Sequence, residues 1–140
     1  MDAAGRVEFL GRADEIVSVS GQLVSLMEIR AVLAEHPCVS AVDVIERRDH
    51  AGGRYLAAAV VLTSEAAPEL SAVARELGQS VRETLGGLAR PRLIMVVDRY
   101  GDELRGDERR RALAGIPVPD LHEPRRVTWA QILAAAEHTT

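Results

Sequence analysis

The sequence predicts a small α+β domain, with helices covering an antiparallel or mixed sheet of three strands. Three observations carry that expectation. Short segments alternate polar and apolar residues as half-exposed strands do, RVEFL (6–10) and EIVSVS (15–20) among them. The stretch 69–85 sets Leu70, Val73, Leu77, Val81 and Leu85 on a single stripe, as a helix facing a sheet does. A chain of 140 residues, 47% hydrophobic, suits one domain with a modest two-layer core.

The elements follow in order. Segments 6–10 and 15–20, with a return strand in QLV after Gly21, make an N-terminal hairpin arm. Ser25 and Glu28 have capping-box spacing for a helix over 25–36, whose apolar face holds Leu26, Ile29, Val32 and Leu33 and which Pro37 ends. VSAVDVIE (39–46) and RYLAAAVVLT (54–63) flank Gly52-Gly53, a hairpin loop. After the 69–85 helix, Gly86-Gly87 is a stop and RLIMVVD (92–98) a central strand. RGDERRRALA (105–114) reads as a polar, solvated helix with Asp107–Arg111 and Glu108–Arg111 pairs. PVPDLHEP (117–124) is a Pro-rich linker, and 128–138 an extra amphipathic helix capped by Thr128 and Gln131, with Trp129 and Ile132 on its apolar face.

Composition excludes several classes. No apolar run reaches the ~18 residues of a membrane span. The start lacks a signal-peptide pattern. The single cysteine, Cys38, leaves no disulfide framework and no thiolate metal cluster, and a cytoplasmic setting follows. The net charge of −4 speaks against nucleic acid. No two of His36, His50, His122 and His138 have metal-ligand spacing; His36, at a helix end, suits the helix dipole better than base catalysis. All 17 basic residues are arginine, so no lysine is present to form a Schiff base or to act as an ammonium point charge.

Residues 5–45 carry Gly5, Gly11-Arg12, Asp14-Glu15, Gly21, Glu28-Ile29 and His36-Pro37 in a set spacing. That pattern resembles the C-terminal domain of the adenylate-forming superfamily: acyl- and aryl-CoA synthetases, peptide-synthetase adenylation domains and luciferases. GRYLAAAVVL (53–62) and LARPRLIMVVD (88–98) look like two later segments of the same domain, and the resemblance covers roughly residues 4–113. It implies a division into 1–12 as a residual hairpin and hinge lead-in, 13–115 as the ligase C-terminal-like domain, and 116–140 as linker and final helix. It also implies a lid that pivots against a large ATP-binding domain. In one pose such a lid inserts a lysine beside the adenylate oxygens; in the other it lines a tunnel for pantetheine.

Carried over residue by residue, Asp14 matches the hinge, and Ser20 and Gly21 match the tunnel lining. Gln22 and Leu23 stand where the family often has basic residues. YGDELRGD (100–107) replaces the family's P-K-T-x-x-G-K, so Asp107 occupies the position of the catalytic lysine. Arg105, Arg109, Arg110 and Arg111 are the neighbouring cations that a shifted register would offer to a phosphate or an acidic partner. Losing one preorganised donor at such a site costs on the order of 10²–10³ in rate.

The resemblance therefore implies a stand-alone, degenerate lid that is non-catalytic by itself. It would bind a ligase large domain, a carrier protein, another biosynthetic enzyme or its own copy. ATP, and CoA or carrier-protein phosphopantetheine, would be engaged only through that partner. The alternative is the small subunit of a split ligase that completes an active site in trans; a remnant of a disrupted gene is the third reading. A start at Met one hairpin before the hinge, and the added final helix, argue against random truncation.

Overall fold

The computed structural model describes residues 16–19, 21–49, 52–63, 70–117 and 124–138. The expected strand at 6–10 and the whole of 1–12 lie outside these residues. Strands β1 (Ile16–Val19) and β2 (Gln22–Ser25) pair antiparallel with Val17 opposite Val24. Gly21 makes the turn at φ 82°, a left-handed conformation that glycine enters without steric cost. Helix α1 (Leu26–Ala34) follows, and Ser25 Oγ accepts the Glu28 N–H at 3.3 Å, the cap that the spacing predicts. Beyond its end, His36 Nδ1 accepts the Cys38 N–H, so the neutral ring carries its proton on Nε2 and donates to Glu76 at 2.8 Å. His36 thus ties the end of α1 to the next helix.

Strands β3 (Val39–Arg48) and β4 (Arg54–Leu62) form the expected antiparallel hairpin, with Val44 opposite Ala58. Helix α2 (Leu70–Leu85) returns the chain to β5 (Leu93–Val97), which runs parallel to β4 and is buried throughout. Helix α3 (Gly106–Gly115) leads on to β6 (Arg125–Val127), parallel to β5, and then to α4 (Trp129–His138). At the α4 start, Thr128 Oγ1 accepts the Gln131 N–H at 3.1 Å and Gln131 Oε1 accepts the Thr128 N–H at 2.8 Å, a complete capping box.

The sheet has four strands in the order β3-β4-β5-β6, one more than the sequence suggests. Three residues, two of them arginine, are too short for β6 to show an alternation. Helices lie on both faces, which makes three layers in place of two. Val42, Val44, Leu56, Val60 and Ile94 face α1 and α2; Ile45, Ala59, Leu93, Met95 and Val97 face α3 and α4. Ala57, Ala58 and Ala59 of β4 are fully buried, and their small side chains let both helical layers approach the middle of the sheet.

Two charged residues of β3 are buried on the α3 side, Asp43 at 1% exposure and Arg47 at 7%. Arg47 Nε donates to the Tyr55 hydroxyl at 2.7 Å, and its terminal nitrogens donate to the carbonyls of Leu113 and Ile116. These carbonyls lie at the C-terminal end of α3, where intrahelical donors run out. Arg47→Met should therefore cost about 3 kcal/mol in urea unfolding, because buried acceptors are left unsatisfied. Arg48→Met, at the exposed neighbour, should stay within about 0.5 kcal/mol of wild type. Equal losses in the two variants would contradict the capping role.

Candidate functional site

The segment after β5 builds the site. Asp98 Oδ1 accepts the N–H groups of Arg99 and Trp129, both at 2.8 Å, and the Asp98 N–H donates to the Val127 carbonyl at 3.1 Å. Trp129 Nε1 donates to Glu103 Oε1 at 2.8 Å. This bond, the leading influence, holds the Glu103 carboxyl below the usual carboxylate range. A Cβ on Gly101 would overlap Glu103 Oε1 and the Trp129 indole, with Trp129 Cε2 at 2.9 Å. The loop 98–105 is thus closed over by β6 and α4, which the sequence had placed in a separate tail.

Helix α3 then projects its charges in two directions. Arg109 Nε donates to Asp43 Oδ2 at 2.6 Å, and Arg110 Nη1 lies 3.7 Å from Asp43 Oδ1. Partial burial opposes the Arg109 charge, but Asp43 outweighs it and holds the guanidinium above its usual pKa. Its Cζ lies 4.3 Å from the centre of the Tyr100 ring. Burial, with the charge of Asp43 behind it, pushes the Tyr100 hydroxyl far above the usual phenol range. Arg105 and Arg111 point outward, with side chains 79% and 63% exposed.

Asp107 lies in the first turn of α3, its carboxylate 3.7 Å from Arg105 Nε and 3.9 Å from Arg111 Nη2. Desolvation, the largest single influence, works against its charge. Backbone N–H groups, led by that of Glu108, outweigh it together with Arg105 and Arg111, so its pKa falls below the usual range. The expected Asp107–Arg111 pair is present; Glu108 instead accepts the Arg105 N–H at 2.8 Å and lies 3.8 Å from Arg105 Nε. Asp107 and Arg111 line a cleft of about 550 Å³ with Ile16 and Ser18 of the hairpin and Glu46 and Arg54 of β3 and β4. Arg110 lines it too. Arg109 faces a different cleft, of about 330 Å³, beside Tyr100 and Arg30.

The structure thus brings Asp107 beside the first strand of the hairpin. Gly21, at the hairpin tip, lines neither cleft, and among the described residues beyond its chain neighbours no atom lies within 4 Å of a Cβ built on it. Asp14 and Ser20 lie outside the described residues. Asp43 and the Trp129–Glu103 contact were not found from the sequence. Asp43 carried a signal, a lone carboxylate inside the apolar run AVDVI; the Trp129 contact carried none. Among the described residues, no cluster of His, Cys, Asp and Glu could hold a metal ion, and no helix is long and apolar enough to cross a membrane.

The sequence profile of the AMP-binding enzyme C-terminal domain matches residues 28–101, just over half of the chain. The chain belongs to that family. Its relatives include an acetyl-coenzyme A synthetase of Streptomyces coelicolor, 33% identical over 133 residues, covering 95% of this chain and 20% of that protein. A linear gramicidin synthase of Brevibacillus parabrevis is 34% identical over 134 residues, covering 96% of this chain and 2% of that one. Among solved structures, the anthranilate CoA ligase AuaEII, in complex with anthranoyl-AMP, superposes with a TM-score of 0.58. It is 29% identical, over 66% of this chain and 18% of that one. The chain therefore spans a fifth or less of these relatives. An alignment over 95% of the chain also runs through β6 and into α4, so this family likeness reaches the final helix.

Trp129, the only tryptophan and 1% exposed, reports on the closure over loop 98–105. Gly101→Ala should move its emission to longer wavelength and cost about 2 kcal/mol, as overpacking of a filled site does. Unchanged emission with unchanged stability would contradict the close approach.

Proposed function

We propose that this chain is a degenerate lid of an AMP-forming acyl- or aryl-CoA ligase that acts by binding and does not itself support adenylation. One observation carries the reading. At the position where the resemblance puts the family's catalytic lysine stands Asp107, ionised and set at the tip of α3 on the rim of the hairpin cleft. Adenylation gathers negative charge on phosphate oxygens, and a carboxylate there adds repulsion where a preorganised cation would stabilise. Arg109, on the inner side of α3, is bound by Asp43, and Arg110, which lines the same cleft as Asp107, lies 3.7 Å from Asp43 as well. The partner is a ligase large domain, a carrier protein or another biosynthetic enzyme in a cytoplasmic setting, and ATP and the pantetheine thiol are met only through it.

A second reading, a small subunit completing a split ligase in trans, draws support from Gly21. Its open, positive-φ turn is compatible with a backbone that approaches pantetheine. The test mixes the chain with a ligase large domain stripped of its own lid and follows the two half-reactions separately. The degenerate-lid reading predicts binding with pyrophosphate exchange at background, and a rise of about 10-fold or more for Asp107→Lys. Exchange by the wild type at the rate of an intact ligase would overturn it. Thioester formation stimulated by the wild type and abolished by Gly21→Leu would favour the split-subunit reading.

A further inference from the structure

On the opposite face of the sheet from α3, a cleft of about 210 Å³ opens between α2 and the segment entering β5. Arg75, Arg90, Arg92 and Ser71 line it, together with Gly78 and the buried Pro91. Among the described residues, none of the three arginines pairs with a carboxylate.

The guanidinium groups are positioned by other means. Gly78 stands inside a 16-residue helix, where glycine is less stable than alanine. Its lack of a side chain opens a seat for Arg90: a Cβ there would lie 3.1 Å from Arg90 Nε and 3.6 Å from its Cδ. Arg75 and Ser71 stand on the same side of α2, three and seven residues before Gly78. Arg92 lines the rim, but its guanidinium turns to the other face, where its Cζ lies 5.4 Å from the centroid of Tyr55. Packing thus holds the Arg90 guanidinium at the cleft beside Arg75 without neutralising it. Guanidinium forks match phosphoryl oxygens, and an anion would relieve the repulsion between them.

We infer that this cleft binds a phosphoryl dianion, either free phosphate or the terminal monoester of a larger ligand, through Arg75 and Arg90. The site is separate from the α3 tip and does not rest on the proposed function. The test titrates the ¹⁵N-labelled chain at constant ionic strength with inorganic phosphate, with methyl phosphate and with chloride, following the arginine Nε–H signals. The expected result is saturable phosphate binding with a dissociation constant on the order of 1 mM and no saturation by chloride. Equal affinity for methyl phosphate supports a monoester site, and preference for inorganic phosphate supports a free-ion site.

Arg90→Gln should weaken binding about 10-fold. Gly78→Ala, which favours the helix and displaces Arg90, should weaken it while the circular dichroism spectrum stays native. Linear shifts identical to those with chloride, or affinity unchanged in both variants, would overturn the inference.

Discussion

Two buried charges on β3 organise this domain around α3. Asp43 takes Arg109 and Arg110 from the middle of the helix, and Arg47 takes the carbonyls at its end. Burying such groups is costly, and breaking one partner of a buried pair is costlier than forming the pair is favourable. The contacts therefore specify the rotation and axial position of α3 more than they add stability. Once α3 is placed, so is its first turn, and Asp107 comes to stand beside the hairpin.

That placement explains why aspartate suits the position locally. A helix N-terminus carries partial positive charge and unpaired N–H groups, and Asp107 and Glu108 in the first turn meet both. A lysine at the same position would oppose the helix dipole. Aspartate is the residue that the helix terminus favours. The exposed pairs of Asp107 with Arg105 and Arg111 add little, since surface ion pairs are screened.

Much of the frame is legible in the sequence because local rules and tertiary packing agree. Ser25 and Thr128 cap the helices they precede, the Leu77 stripe faces the sheet, and 92–98 holds an interior strand. What stayed hidden needed long-range information. The run RGDERRR conceals that α3 is half-buried, with Ala112 and Leu113 at 0% exposure, because arginine stems reach a carboxylate 66 residues away. Strand β6 is too short to show a period. Gly101 gives no sign that its missing side chain makes room for Trp129. That Arg109 is held inward by Asp43 was not legible either.

Arg109 holds α3 to β3 through Asp43 and is not a cation held ready for a substrate. A double-mutant cycle between Asp43→Asn and Arg109→Met measures this directly, with stability read from urea unfolding. Residues that share one buried hydrogen-bonded pair should show a coupling of about 2 kcal/mol. A coupling below about 0.5 kcal/mol would mean that Arg109 is energetically free of Asp43, and would contradict the account.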